Sequence, residues 1–561
     1  VQTICFDKTG TITLNRMSVL RVHAGMREIR ISEDKFLVGK NLLDPFQSKE
    51  VLQLIQTCVL CNESVVNGSG GAYAVSGSAT ENALIWMAIM AGVDVNALRA
   101  KMPLLRTLYR SDNRVFMCTE HLCGDTTIVA LKGSPLEVLG KCTLHMREGQ
   151  EVVLTEEDRD TIEAENDRMA GDALRVLGVA YSRNGHALES EDESFVWLGL
   201  VGMADPIRER AKDAVVRFHE AGLETIMITG DQSPTAYAVG TELGLNNGKP
   251  LEILDSTALS AMDPDVIRAL AKRVHVFARV SPSHKLEIVQ ALQSAGKVVA
   301  MTGDGINDGP ALKAADIGIA MGKGGTDVAR EVADVVLEED DLETLVIAIR
   351  DGRTIYRNIR KCLHYLLATN LSEIEVMFLS AAIGLGHPLN PMQLLWINLI
   401  SDIFPGLALA LDPAEPNVMK QPPRDPSDPI VSTEDFKRII GEATTITLSS
   451  LLAYGYGVVK YGGGLAAGTV AFQSLTVSQI LHALTCRSET VSIFDRERMQ
   501  PNRYLSAAVF GSLFMQVLVQ FVPGLRTLLG LTPLTALDGL VVAATSVTPL
   551  LVSEVAKKKR N

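Results

Sequence analysis

Disulfide and zinc frameworks are missing from this 561-residue chain: its eight cysteines are scattered, and the only close pair is Cys58 and Cys61. That pair sits in an apolar, helix-like stretch, VLQLIQTCVLCNE, and reads as buried thiols, with a redox or metal role as the alternative. An excess of basic charge is missing too, and a net charge of −13 argues against nucleic acid as a partner. The chain opens at Val1 with no initiator Met, signal peptide or transit peptide.

What is present is a mixture. Apolar residues make up 47% and mean hydropathy is positive, yet 21% of residues are charged, which suggests soluble and membrane parts in one chain. At this length several domains are expected. Acidic residues crowd the first 345 or so positions, and the remainder is apolar with basic clusters between its hydrophobic runs.

VQTICFDKTGTIT reads as a short buried strand that ends at Asp7 and breaks at Gly10. A long insertion of mixed pattern follows, over about 16–200. Strands and amphipathic helices then alternate through ETIMITGD, HVFARVSP, KVVAMTGDGIND, ADIGIAMG and ADVVLEED, which implies a doubly wound parallel sheet. Ligands of such sheets sit beyond the carboxyl ends of the strands, so Asp7, Thr229 to Asp231 and Asp304 to Asp308 are expected to converge on one crevice.

From about 362 onward six apolar segments occur, near 362–384, 391–411, 439–459, 466–486, 504–522 and 533–553. Each has roughly the ~20 residues that span a bilayer. Basic residues gather after the second segment (Lys420, Arg424, Lys437, Arg438), after the fourth (Arg487, Arg496, Arg498, Arg503) and in the KKKR tail. The other three connections hold only Lys460 and Arg526, so the soluble part and the C-terminus are expected in the cytosol.

The chemistry lies in short strings. DKTGT places a carboxylate at a strand end before a glycine turn whose amides can approach phosphate. With TGD at 229, Lys285 in RVSPSHK and TGDGIND at 302, the combination is specific. A carboxylate attacking a phosphoryl group must overcome anion repulsion, which calls for Mg²⁺ and a lysine. Asp7 is then the nucleophile, Asp7 and Asp304 hold the metal, and Lys285 supplies fixed positive charge. Thr229 and Gly230 donate to phosphoryl oxygens, Asn307 helps to orient the group, and Asp308 completes the acidic cluster. For any single Asp-Gly pair, a turn or helix cap is the better reading.

DKTGT, KGSP at 132, DPIR at 205, TGD at 229 and TGDGINDGPALKAADIGIAMG from 302 resemble the motifs of P-type ATPases, a branch of the haloacid dehalogenase-like phosphotransferases. The resemblance implies a haloacid dehalogenase-like α/β phosphorylation domain (1–15 and 201–345), an inserted α+β nucleotide-binding domain (16–200) and an all-α membrane domain of six helices (346–561). It implies ATP and Mg²⁺, with Lys8, Thr9 and Asp231 joining the catalytic set and Thr9 the metal ligands. Thr80, Glu81, Lys132, Gly133 and Arg175 match positions that hold adenine or phosphates, and Tyr109 is the candidate adenine-stacking aromatic, in the LYRSDNRVFM stretch whose spacing departs from the family's. No Walker A string is present.

Ionisable groups inside spanning helices are expensive and usually functional. Asn370 and Glu373 share one helical face, and Asn398, Ser401 and Asp402 share another, with Pro405 free to release carbonyls. Glu375 faces elsewhere and reads as a packing residue. Oxygen-only ligands suit a hard cation. ATNLSE and QLLWINLISDIFPGLALALDP resemble type II pumps, calcium pumps above all. That likeness implies Asn398 and Asp402 in a calcium site shared by the subtypes, and Asn370, Glu373 and Ser401 in an additional one. Gln479 stands where two-site pumps carry an acid, so one Ca²⁺ per cycle is expected, with Mn²⁺ the second candidate.

A pump for Na⁺, K⁺, H⁺ or Mg²⁺, a soluble phosphatase of the same superfamily, and a non-catalytic membrane subunit are the competing readings. The sole His-Pro pair, His387 and Pro388, lies in a membrane connection, which ranks heavy-metal export low. The family's actuator domain and four earlier helices have no counterpart in these residues. The chain therefore reads as the C-terminal portion of a plasma-membrane pump, partnered by the missing N-terminal half, ATP, a transported cation and the lipid bilayer, and unable to pump alone.

Overall fold

The computed structural model describes residues 1–32, 35–68, 73–111, 114–183, 195–259, 266, 269–270, 273–495 and 499–558. Arg496 and Arg498 of the fourth connection, Asp112 and Asn113 of the LYRSDNRVFM stretch, and the last residues of the basic tail lie outside them. The chain divides into two compact units, Val1–His219 with Leu223–Thr344, and Glu220–Gly222 with Leu345–Asn561.

In the first unit seven strands form a wholly parallel sheet: β1 (Thr3–Asp7), β2 (Glu224–Ile228), β3 (Ile253–Asp255), β4 (Val276–Ala278), β5 (Val299–Gly303), β6 (Ile317–Met321) and β7 (Val335–Leu337), in the order β3-β4-β2-β1-β5-β6-β7. All five residues of β1 are buried, as expected of a central strand covered on both faces. The helix Ala211–Glu220 turns Ala211, Ala214, Val215 and Phe218 inward at i, i+3, i+4 and i+7, and the Phe218 ring packs 5.9 Å from that of Phe6 on β1. Strand order reverses around β1, so the ends of β1, β2 and β5 open onto one crevice.

The residues between β1 and β2 build a second, largely antiparallel sheet of 11 strands. Its centre runs Ser18–Ala24, Phe195–Ala204, Arg175–Ser182, Thr126–Gly133 and Phe116–Cys123, each beside the next. The sheet continues to Ala204, past the boundary expected at 200. The helices Lys49–Leu60 and Ala79–Met90 close one core against it, burying Leu54, Ile55, Cys58, Leu84 and Met87. Ala79–Met90 and Val95–Lys101 together are apolar enough to count as a bent membrane span, but their apolar residues belong to this core.

The second unit is helical: Leu342–Ala382, Pro391–Ile397 running through a widened π turn (Asn398–Asp402) into Ile403–Ala410, Thr433–Tyr461, Leu465–Thr485, Arg503–Phe521 and Ala536–Lys558. By length and composition only three helices of the described residues qualify as spans, Pro391–Ala410, Arg503–Phe521 and Ala536–Lys557, against the six expected. The expected segments 362–384, 439–459 and 466–486 coincide with helices whose polar residues face protein. Leu465–Thr485 buries Thr469, Gln473, Ser474, Thr476, Ser478 and Gln479, so it has no need to be apolar all round. Leu342–Ala382, with 41 residues and a length of ~60 Å, is about twice what ~30 Å of hydrocarbon requires. Charged clusters mark the helix ends: Asp412 holds Lys361, Arg487 and Asn502, and Asp538 holds Lys460 and Tyr461.

Candidate active site and cation site

Asp7 ends β1, and the next five residues turn back so tightly that the Thr13 amide donates to the Lys8 carbonyl. Gly10 makes this possible. Its φ is +74°, and a Cβ there would lie 1.8 Å from an Asp304 carboxylate oxygen. Arg208 clamps the turn by donating to the carbonyls of Gly10 (2.7 Å) and Thr11 (2.9 Å), while Asp205 accepts from the Thr13 hydroxyl and the Arg16 amide. The DPIR string is thus the anchor of the DKTGT loop.

Lys285 arrives on the helix Pro282–Ser294, where Ser281 caps the N-terminus and Pro282 occupies the first position. That start buries Lys285 in the first turn, its Nζ 3.0 Å from Asp7 Oδ1 and 2.6 Å from Asp308 Oδ1. The other oxygen of Asp308 accepts from the amides of Asp304 and Gly305, closing the turn after β5. Carboxylate oxygens of Asp7, Asp304 and Asp308 all lie within 4.8 Å of one another. The TGD string joins through Asp231, which is ion-paired with Lys8 and whose amide donates to the Thr229 hydroxyl at 3.1 Å. Thr9, Gly230 and Asn307 are exposed beside this cluster.

Three acids facing one ammonium is an unbalanced arrangement. Burial, reinforced by Asp308 and Asp304 and opposed by Lys285, pushes Asp7 up to about 7. Burial and Asp308 push Asp304 up to about 6. Burial works against the charge on Lys285, but Asp7 and Asp308 hold it above the usual lysine range. A dense set of oxygen donors short of positive charge fits a hard divalent cation, and the Thr11 hydroxyl of the same DKTGT loop is buried without a partner.

In the large sheet, Lys132 is buried and ion-paired with Glu81, while Arg175 donates to the Thr80 hydroxyl at 3.0 Å. Gly133 lies opposite Phe116 on the neighbouring strand, so close that a Cβ would meet that of Phe116 at 2.4 Å. Tyr109 is 60% exposed beyond the end of Leu104–Leu108. Phe116 is thus a second aromatic on this sheet, opposite Gly133 and one register position from Lys132; its place depends on strand register, which the sequence spacing around LYRSDNRVFM does not reveal.

Within the helical unit, the widened turn brings Ser401 and Asp402 inward, both buried. Asn370 donates to Asp402 at 3.2 Å, and Gln479 donates to Glu373 at 3.3 Å, to the Ser372 hydroxyl and to the Thr369 carbonyl. Gln479 also accepts from Ser401, which makes it the hub of the cluster. Asn398 is exposed and takes no part, because the wide turn rotates it away from Ser401 and Asp402. Glu375 accepts from Thr444 of the next long helix.

Two family models match: "P-type ATPase, cytoplasmic domain N" over residues 50–210 and "Cation transporting ATPase, C-terminus" over residues 386–558. The chain is 35% identical to "Calcium-transporting ATPase 1" of Bacillus cereus over 99% of its own length and 63% of the relative's. To "Calcium-transporting ATPase" of Bacillus subtilis it is 34% identical over 97% of its length and 62% of the relative's. The human "Calcium-transporting ATPase type 2C member 1" is 33% identical over 99% of this chain and 60% of that protein. The chain thus spans less than two thirds of the length of these curated relatives. With both domains matched and the likeness extending over nearly all of its residues, the chain belongs to the P-type ATPase family.

Proposed function

We propose that this chain forms the catalytic part and a share of the transport pathway of an ATP-driven cation pump working through an aspartyl phosphate, with Ca²⁺ the favoured ion and Mn²⁺ next. The observation that carries the reading is the meeting of Asp7, Lys285, Asp304 and Asp308 at the tips of β1 and β5. An Asp7 oxygen attacks the γ-phosphorus of ATP, the new O–P bond replaces the bond to the β-phosphate oxygen, and ADP leaves. Lys285 offsets charge on the attacking carboxylate and the transferred group. Thr229, Gly230 and Asn307 orient the phosphoryl group. Asp7, Thr9 and Asp304 would hold Mg²⁺, which neutralises phosphate charge when bound.

In this reading residues 1–15 and 201–345 are a haloacid dehalogenase-like phosphorylation domain, 16–200 bind the nucleotide, and 346–561 lie in the membrane. Thr80, Glu81, Lys132, Gly133 and Arg175 face ATP, with Tyr109 or Phe116 against the adenine. Asn370, Glu373, Ser401 and Asp402 bind the cation, with Asn398 joining on rotation of its turn. A neutral Gln479 at the hub favours one Ca²⁺ per cycle. Soluble domains and C-terminus face the cytosol, at the plasma membrane, and an N-terminal half completes the pump.

The test is phosphorylation of the complete protein from radiolabelled ATP across Ca²⁺, Mn²⁺, Na⁺, K⁺ and Mg²⁺ titrations. The expected label depends on Ca²⁺ or Mn²⁺, is released by hydroxylamine and is lost in Asp7→Asn. Labelling indifferent to Ca²⁺ and Mn²⁺ overturns the ion, and labelling retained by Asp7→Asn overturns the mechanism.

A further inference from the structure

A second cluster in the helical unit takes no part in the proposed cycle. His364 of Leu342–Ala382, and His482 and Cys486 at the end of Leu465–Thr485, are all buried and bring their ligating atoms within 4.8 Å of one another. Glu442 of Thr433–Tyr461 completes a fourth corner, its Oε2 2.6 Å from His364 Nε2 and 3.4 Å from His482 Nε2. Cys486 Sγ lies 3.3 Å from His482 Nε2. Tetrahedral Zn²⁺, with bonds of about 2.1 Å to nitrogen and 2.3 Å to sulfur, sets its ligand atoms roughly 3.3–3.7 Å apart. The His482–Glu442 and His482–Cys486 spacings already match, and the His364–Glu442 hydrogen bond has to open.

The surroundings prepare the donors. The Thr485 hydroxyl donates to the His482 carbonyl at 2.8 Å and lies 2.9 Å from His482 Nδ1. With its one proton so used, that hydroxyl accepts from Nδ1–H, which leaves the Nε2 lone pair turned toward Cys486 and Glu442. Arg438, which donates to His364 Nδ1 at 3.1 Å, has a second partner in Glu489 at 3.2 Å and can release the imidazole. A cavity of about 730 Å³ lined by His364, Glu442, Cys486, Arg438, Thr485 and Lys557 supplies an entry path.

We propose that His364, Glu442, His482 and Cys486 form a binding site for a borderline-soft divalent cation of the Zn²⁺ class, distinct from the oxygen-lined cluster around Asp402. The N₂SO donor set selects against Ca²⁺ and Mg²⁺. Binding releases the Cys486 proton to solvent, moves the His364 proton from Nε2 to Nδ1, and ties three helices together near the middle of the long helix Leu342–Ala382, which also carries Glu373.

The full chain in detergent, stripped by chelator and kept in excess Ca²⁺ and Mg²⁺ to fill oxygen sites, is titrated with Zn²⁺ and, for its thiolate charge-transfer band, Co²⁺. The expected result is one equivalent of Zn²⁺, a higher melting temperature and protection of Cys486 from maleimide. Cys486→Ser and His364→Gln should each weaken binding by at least ~10-fold while melting normally without metal. Absence of binding, or binding that both variants leave unchanged, overturns the proposal. If a variant melts early without metal, the unsubstituted protein decides: failure of Zn²⁺ to protect Cys486 overturns the site as well.

Discussion

Lys285 Nζ lies 3.0 Å from Asp7 and 2.6 Å from Asp308, so a single ammonium stands between two buried carboxylates that would otherwise repel each other. Removing one partner of such a buried pair typically costs ~3–5 kcal/mol. Lys285→Met is expected to lower stability by an amount in that range and to cut phosphorylation by at least ~100-fold, since it deletes fixed charge where charge is transferred. Denaturant melts and rapid-quench labelling measure the two effects. A variant that phosphorylates normally would remove Lys285 from the chemistry.

The acidic cluster predicts an unusual pH dependence. With Asp7 raised to about 7 and Asp304 to about 6 from 3.8, the folded chain binds more protons than the unfolded one between about pH 4 and 7. Stability of the metal-free chain therefore falls as pH rises through that window. Mg²⁺ is expected to reverse the trend at neutral pH and to lose affinity below about pH 6, because protons compete for Asp304. Melting temperatures with and without Mg²⁺, for the natural chain and Asp304→Asn, check this; an unchanged slope in the variant would contradict it.

Gly10→Ala combines an unfavourable φ with a Cβ that would fall on the Asp304 carboxylate. A stability loss of ~1 kcal/mol or more is expected from the backbone alone. Displacement of Asp304 should weaken Mg²⁺ binding more than it weakens nucleotide binding. Calorimetric titration with each ligand separates the effects.

Gln479→Leu removes the donor shared by Glu373, Ser372 and Thr369, and because the Thr369 carbonyl keeps the Ser372 hydroxyl at 2.7 Å, the loss falls on the buried Glu373 carboxylate, at ~1–3 kcal/mol. The Ca²⁺ concentration that half-saturates phosphorylation is expected to rise roughly ten-fold. An unaltered Ca²⁺ dependence would mean that the hub serves helix packing alone.

Burial pushes the Cys58 and Cys61 thiols up, to about 12 and about 11. Neither should react with iodoacetamide near neutral pH until the protein is unfolded, whereas the partly exposed Cys123 should. Mass spectrometry of tryptic peptides distinguishes the sites, and labelling of Cys61 in the native chain would reopen its redox reading.

Local pattern alone was enough to read the strand ending at Asp7, the glycine break at Gly10 and the apolar runs after residue 362, because strand burial, turn geometry and apolar run length depend on neighbours in the chain. It did not reveal Arg208 and Asp205 as anchors of the DKTGT loop, Phe116 opposite Gly133, or Gln479 as the meeting point of three helices. Those depend on register and packing between distant segments. The same cause explains why apolar runs suggested six spans where composition supports three: polar residues of Leu465–Thr485 and its neighbours are satisfied by other helices, and no single segment records which face is covered. His364, Glu442, His482 and Cys486 are single polar residues on three separate helices, and only the packing of those helices turns them into one donor set.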